Sequence, residues 1–400
     1  MLAYHFTEMP YPFLPEDAEK RYGSLRITLP NKYFDPKIGH ELYNRYLDEH
    51  EYAEELGLEI MLNEHHQTAT CLDAICAIPA AALVRRTRTA KIVLLGNPLP
   101  HRDNPLRVAE EVAMLDVISG GRIVSGFVRG VGSEIHPANT NPAQNRERFE
   151  EAHDLIIKAW TTHDVFHWEG KYFHFRYANP WPRPYQQPHP PIWITGTSPD
   201  GIPWVADHQY VFAAFLMAYD DVTRLYDIYR RRTAELGYAE PGPERFAYLA
   251  LCYTAETDEQ AWDEGRELLW YVQRRRHAAL TNPPGFNSVR TNLMMLAGAS
   301  KPYGDSFESL MAKGIVIAGS PDTVRRQCME WHKRGCGHLL MMNQAGSLSP
   351  ELTRKSMKLF AEEVYPALKE LDPHLKPGGE EPYGREPAAA IQRRVMSAEG

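Results

Sequence analysis

Cysteine is scarce: Cys71, Cys76, Cys252, Cys328 and Cys336 are all that a chain of 400 residues contains. Five scattered thiols make no disulfide scaffold, and the spacings C-x₄-C and C-x₇-C are not those of a zinc site. Reduced thiols of a cytoplasmic protein are therefore expected. No apolar run approaches the roughly 18 residues of a membrane span. The N-terminus, Met1-Leu-Ala-Tyr-His-Phe-Thr-Glu8, has neither the basic start nor the apolar stretch of a secretory signal. An excess of positive charge is also missing. Lys plus Arg number 44 against 52 Asp plus Glu, a net charge of −8, so no basic field is present to grip nucleic acid. There is no G-x-G-x-x-G after the first strand, no G-x-x-x-x-G-K-[ST], no G-x-S-x-G and no H-E-x-x-H. Dinucleotide folds, P-loops, serine hydrolases of the elbow type and helical zinc proteases lose their usual signatures.

What is present is a globular composition, 43% hydrophobic and 24% charged. Apolar β-like runs alternate with amphipathic helical stretches. Strands are expected at Leu2–Phe6, Leu58–Leu62, Ala90–Leu95, Arg122–Phe127, Pro191–Thr195, Val211–Phe215, Phe246–Tyr253 and His338–Met342. Eight strands separated by helices predict a (β/α)₈ barrel; two open doubly wound domains would give a similar string. A single domain over 1–371 is expected, with insertions near 165–190 and 280–312. The first insertion contains an aromatic hairpin around Glu169-Gly170. Residues 372–400, rich in Pro, Gly and Glu, are expected to be mobile or to wrap over a neighbouring subunit.

In such a barrel the chemistry sits after the strands. The second strand runs into Asn63-Glu-His-His-Gln67, the third into Gly96-Asn97 and then His101-Arg-Asp103. The fourth runs into Arg129-Gly130, the fifth into Gly196-Thr-Ser198, and the eighth into Asn343-Gln344. Adjacent residues of an extended chain point to opposite sides, so His65 and His66 are not expected to share a metal ion, and no metal site is predicted. The plainer alternative places one histidine between strand end and helix and the other at the surface. Arg129-Gly130 has the form of an anion cradle, a guanidinium fork beside backbone that lies open. Ser198-Pro199 suits a helix start, which also attracts phosphate. Together these point to a phosphate between the fourth and fifth strands.

The runs Asn63-Glu-His-His66, Gly96-Asn-Pro-Leu-Pro100, Pro105 to Arg122, Gly126-Phe-Val-Arg-Gly130, Pro190-Pro-Ile-Trp-Ile194 with Gly196-Thr-Ser198, and Ala318 to Val324 resemble the bacterial luciferase-like flavin monooxygenase family. The likeness extends over roughly residues 1 to 370. It implies a TIM-like barrel, a homodimer or larger assembly, and reduced FMN (FMNH₂) delivered by a separate NAD(P)H-dependent flavin reductase. O₂ is then activated as a 4a-hydroperoxyflavin to oxygenate a small or medium apolar organic substrate. By the same resemblance His65 and Asn97 are the catalytic candidates, and Gly96, Asn97, Arg129, Gly130, Thr197 and Ser198 hold the cofactor. A non-proline cis peptide would fall at Gly96–Asn97. Val128 stands where the luciferases carry a reactive cysteine, so that thiol is missing here. A peroxyflavin must be kept from water, and the segments 166–181 and 282–312 are candidate covers. The alternatives are a deazaflavin-dependent hydride transferase on the same barrel, with Arg102 and Arg129 for its longer anionic tail, and a flavin-binding barrel without turnover.

Overall fold

The computed structural model describes residues 1–130, 132–135, 137–275 and 306–379. Their strands are β1 (Leu2–Thr7), β2 (Glu59–Leu62), β3 (Ile92–Pro98), β4 (Ile123–Val128), β5 (Phe166–Glu169), β6 (His174–Ala178), β7 (Ile192–Thr195), β8 (Val211–Phe215), β9 (Phe246–Thr254), β10 (Val316–Gly319) and β11 (His338–Gln344). The parallel ring runs β1–β2–β3–β4–β7–β8–β9–β11 and closes back on β1. This is the (β/α)₈ barrel.

The strands read as continuous apolar runs because both of their faces are buried. Tyr4, Val93, Val124, Trp193, Val211, Leu251 and Leu340 fill the interior. Their neighbours Ala3, Ile92, Ile123, Ile192, Phe212, Tyr248 and Leu339 pack outward under the helices. The sequence reading has no counterpart for β10. This short strand takes up the edge of β9 where β8 leaves it: Leu216 N–H donates to the Leu249 carbonyl, and Leu251 N–H donates to that of Ile315. Four residues between Gly314 and Gly319 carry too little pattern to announce a strand.

The hairpin β5–β6 forms, but it is no cover for the mouth. Glu151, on the helix Asn145–Thr161, accepts from Trp168 Nε1 and from the backbone N–H groups of Lys171, Tyr172 and Phe173. One buried-side carboxylate thus clamps the aromatic insertion to the flank of the barrel. The other expected cover falls largely on 282–305, outside the described residues.

Residues 372–379, expected to belong to a mobile tail, are seated under the barrel instead. Trp193 Nε1 donates to the Gly378 carbonyl at 2.9 Å, and Gly378 N–H donates to the Tyr4 hydroxyl at 3.1 Å. Tyr4 in turn meets His338 Nδ1 at 2.9 Å. Interior polar groups at the N-terminal ends of the strands need partners, and this segment supplies them. Residues 380–400 lie outside the described part.

Candidate active site

Two groups of side chains gather at the C-terminal ends of the strands. The first is a pocket lined by Arg129, Arg146, Ile194, Gly196, Ser198, Gly201 and Trp204, among others. Arg129 follows β4, and Gly196 and Ser198 follow β7. Gly201 lies close enough that a Cβ there would stand 3.9 Å from Arg129 Nη2. Arg146, in the first turn of the helix Asn145–Thr161, donates to the Asp200 carbonyl at 3.1 Å. Burial and the neighbouring Arg146 charge pull the Arg129 pKa down, while Asp200 and Glu150 push it up. Two guanidinium groups, a hydroxyl and glycine backbone line the pocket with one carboxylate, Glu150, and a bound anion would relieve the repulsion between the cations. The set fits a phosphate monoester such as that of FMN.

Thr197, predicted beside Ser198, is exposed and does not line this pocket. Gly130 lies next to it in the chain rather than in its wall. Its φ is +72°, and a Cβ would collide with His101 Nε2, so a side chain is excluded there on two counts. Arg146 carries a signal that sequence reading overlooks: a cation in the first turn of a helix opposes the macrodipole, and an unfavourable placement of that kind suggests a ligand.

The second group surrounds the paired histidines. β2 ends at Leu62, so residues 63–66 are no longer extended strand and the alternation argument fails. Both rings turn to one carboxylate, Glu134. Its Oε1 is 2.9 Å from His65 Nδ1, and its Oε2 is 3.2 Å from His66 Nδ1 and accepts from His66 N–H at 3.1 Å. His66 Nε2 also meets Glu64 Oε1 at 2.9 Å. These two carboxylates, Glu134 foremost, raise the His66 pKa to about 9, which makes it an imidazolium at neutral pH. Burial works to raise the Glu134 pKa, yet His65, His66 and Arg26 together hold it far below the usual carboxylate range.

Arg26 enters from the long loop after β1. Its Nη2 lies 3.1 Å from His65 Nδ1 and 3.4 Å from Glu134 Oε1, and its Nη1 donates to Tyr271 Oη at 3.1 Å. His65 Nε2 stands 3.9 Å from Glu8 Oε2, a carboxylate that also accepts from Asn63 Nδ2 at 2.9 Å. Arg102 is spoken for, donating to Glu64 at 2.7 Å. Neither Arg26 nor Glu134 belongs to a recognisable motif, and sequence reasoning names neither.

Asn97 is buried on β3, with the Cys76 thiol 3.9 Å from its Oδ1. The cis peptide lies one bond earlier than predicted, at Leu95–Gly96. The close approach of β3 to β4 falls at that point: a Cβ on Gly96 would stand 2.6 Å from the Gly126 carbonyl oxygen. Among the described residues one cluster has metal-like spacing, His153, Asp154 and His208. It is not the His65–His66 pair. There His153 is already engaged on both nitrogens, by Asp154 and by the Tyr210 hydroxyl.

The family model for luciferase-like monooxygenases matches residues 32–338, and the chain belongs to that family. It is 24% identical over 323 residues to the alkanal monooxygenase alpha chain of Photobacterium leiognathi, covering 77% of this chain and 88% of that one. It is 24% identical over 360 residues to the FMNH₂-dependent dimethylsulfone monooxygenase of Pseudomonas putida, covering 82% and 88%. Among solved structures, the oxygenating constituent of 3,6-diketocamphane monooxygenase from Pseudomonas putida, in complex with FMN, superimposes with a TM-score of 0.69. Its identity is 18%, covering 91% of this chain and 98% of that one. An F420-dependent secondary alcohol dehydrogenase superimposes with a TM-score of 0.62 at 16% identity, covering 82% and 95%. The relatives are flavin-dependent monooxygenases, and F420-dependent enzymes share the barrel. No described helix is long and apolar enough to cross a membrane.

Proposed function

We propose that the protein is the oxygenase of a two-component monooxygenase. It takes FMNH₂ from a separate NAD(P)H-dependent flavin reductase and uses O₂ to oxygenate a small or medium apolar organic substrate. The observation that carries this reading is the pocket of Arg129, Arg146 and Ser198, which suits a single phosphate, set at the same end of the barrel as His65. Arg129 pairs with the phosphate as a fork, Arg146 adds a second charge, and Ser198 donates a hydroxyl. Gly96 and Asn97 on β3 would border the flavin ring, and Gly130 keeps the Arg129 turn compact.

Bound FMNH₂ supplies the two electrons that activate O₂. His65 is placed to take up a proton at Nε2 beside the reacting oxygen and to return it there. His66, locked between Glu64 and Glu134, stays charged and does not act as a base. A deazaflavin needs further cationic contacts for its longer tail; Arg102, which sequence alone offered for that purpose, is tied to Glu64. That pairing favours FMN. A homodimer is supported by exposed apolar side chains on the helices Ala77–Arg86 and Pro105–Ser119: Ile78 is 64% and Met114 50% exposed, with Val117 and Ile118 beside Met114.

The deciding experiment supplies the purified protein under ¹⁸O₂ either with FMN, a generic flavin reductase and NADH, or with F420 reduced beforehand. Binding of FMNH₂ and ¹⁸O in an organic product support the reading. Hydride transfer from reduced F420 without ¹⁸O incorporation replaces it with the deazaflavin alternative.

A further inference from the structure

Glu134 lies 69 positions from His65 and 108 from Arg26 in the chain, yet the three meet at one point. His65 Nδ1 faces two candidate partners at hydrogen-bond distance, the Arg26 guanidinium at 3.1 Å and Glu134 Oε1 at 2.9 Å. It can satisfy only one. A guanidinium is purely a donor and an ionised carboxylate purely an acceptor. If Nδ1 carries the proton it donates to Glu134, and Arg26 donates to the same carboxylate, so every group is satisfied. If Nδ1 is bare, Arg26 donates to it and the proton moves to Nε2, towards Glu8. Glu134 is held ionised by three cation-capable neighbours, which favours the first arrangement.

We propose that Glu134 is the positioning residue that keeps His65 in its Nδ1–H form, so that Nε2 is the atom free to exchange a proton at the barrel mouth. Arg26 is the alternative donor waiting at the same nitrogen. Removing the Glu134 carboxylate therefore does more than loosen the ring: it lets Arg26 capture Nδ1 and turns Nε2 from an acceptor into a donor. The catalytic consequence rests on the proposed monooxygenase function, whereas the tautomer itself does not. A wrong tautomer with intact geometry is known to disable acid–base catalysis by orders of magnitude.

The test uses the full-length protein labelled with ¹⁵N-histidine, with His65 signals assigned through His65→Ala. The parent should show His65 protonated at Nδ1, and Glu134→Ala should show it protonated at Nε2. Glu134→Gln preserves the side-chain volume and serves if Glu134→Ala does not fold; with the charge gone it should weaken or lose the Nδ1–H preference. An unchanged Nδ1–H signal in a folded Glu134 variant overturns the proposal, as does Nε2–H in the parent. In turnover with a flavin reductase, Glu134→Ala and His65→Ala should each lower product formation by about 10²-fold or more, with H₂O₂ released instead. The double variant should be no worse than His65→Ala, because both act through one group. Additive losses would mean that Glu134 acts elsewhere. A parent that consumes no O₂ with FMNH₂ refutes the monooxygenase reading, and the NMR result still decides the role of Glu134.

Discussion

Gly96 and Gly126 face each other across β3 and β4, and neither has room for a side chain. A Cβ on Gly126 would stand 2.8 Å from Leu95 Cα, and one on Gly96 would stand 2.6 Å from the Gly126 carbonyl oxygen. The obstacles are backbone atoms, which cannot rotate away. Gly96→Ala should therefore push apart the two strands that carry Asn97 and Arg129. A destabilisation of about 1–3 kcal/mol is expected from overpacking of this kind. Thermal melts should show a lowered midpoint, and FMN titration a weakened affinity; a melt identical to the parent's would mean that β3 can shift without cost.

Arg129→Ala should weaken FMN binding roughly 10- to 150-fold, corresponding to about 1.5–3 kcal/mol for a charge-assisted contact to phosphate. Riboflavin, which lacks the phosphate, should bind the parent and the variant alike. Flavin fluorescence titration measures both. Equal losses for FMN and riboflavin would place Arg129 away from the phosphate.

The two adjacent histidines should separate by phenotype. His65→Ala is expected to leave FMN affinity within a few-fold while H₂O₂ replaces oxygenated product. His66→Ala is expected to show itself first in stability. Its folded pKa of about 9 lies above the ordinary 6.5. Its contribution is thus fully present below about pH 6.5 and is lost as pH rises through about 9. Denaturation midpoints measured from pH 6.5 to 9.5 should fall more steeply in the parent than in His66→Ala, and parallel curves would contradict the clamp by Glu64 and Glu134.

On the acid side the sign reverses. Burial lowers His5, His101 and His189 to about 4 and His338 to about 3, and pushes His50 down as well. The folded state binds fewer protons than the unfolded chain between those values and 6.5. Stability should therefore decline as pH falls from about 6.5 towards 4, each such histidine adding up to about 1.4 kcal/mol per pH unit. Urea denaturation across this range checks it. His5 and His50 sit edge to face with ring centroids 4.9 Å apart, so His50→Phe should flatten part of the slope.

Ile78→Glu and Val117→Glu place charges on the exposed apolar helices. Light scattering coupled to size-exclusion chromatography should show a dimeric parent and a monomeric double variant with unchanged helix content by circular dichroism. A double variant that keeps the parent's mass would direct the search for the interface elsewhere.

The barrel was legible because parallel strands buried on both faces read as unbroken apolar runs, as in Val211–Phe215 and Phe246–Thr254. The pocket was legible where polarity clusters next to such runs, which is how Arg129 and Ser198 stand out. Distance in the chain hid the rest. Arg26 is an ordinary charge in a turn and Glu134 one in the single helical turn Gly132–Ile135, and only folding brings them to His65. The opposite orientation expected for His65 and His66 assumed a strand that ends at Leu62. The helix Ala77–Arg86 begins directly after Cys76, whose N–H donates to Glu64 Oε2, a contact that no local pattern announces. The aromatic hairpin was foreseen as an element and misplaced as a cover, since no local pattern announces that Glu151 will collect it.

The segment beneath the barrel also bears on synthesis. A ribosome releases β1 first, yet the Tyr4 hydroxyl meets the Gly378 N–H across 374 positions, and the Trp193 indole waits 185 positions for the same glycine's carbonyl. Until that stretch has emerged, two large interior side chains at the open end of the nascent barrel lack these partners. Closure of the ring by β11 and sealing of its floor consequently wait until every other strand has emerged, and a ribosome stalled before residue 378 would display a barrel that is curved but unsealed.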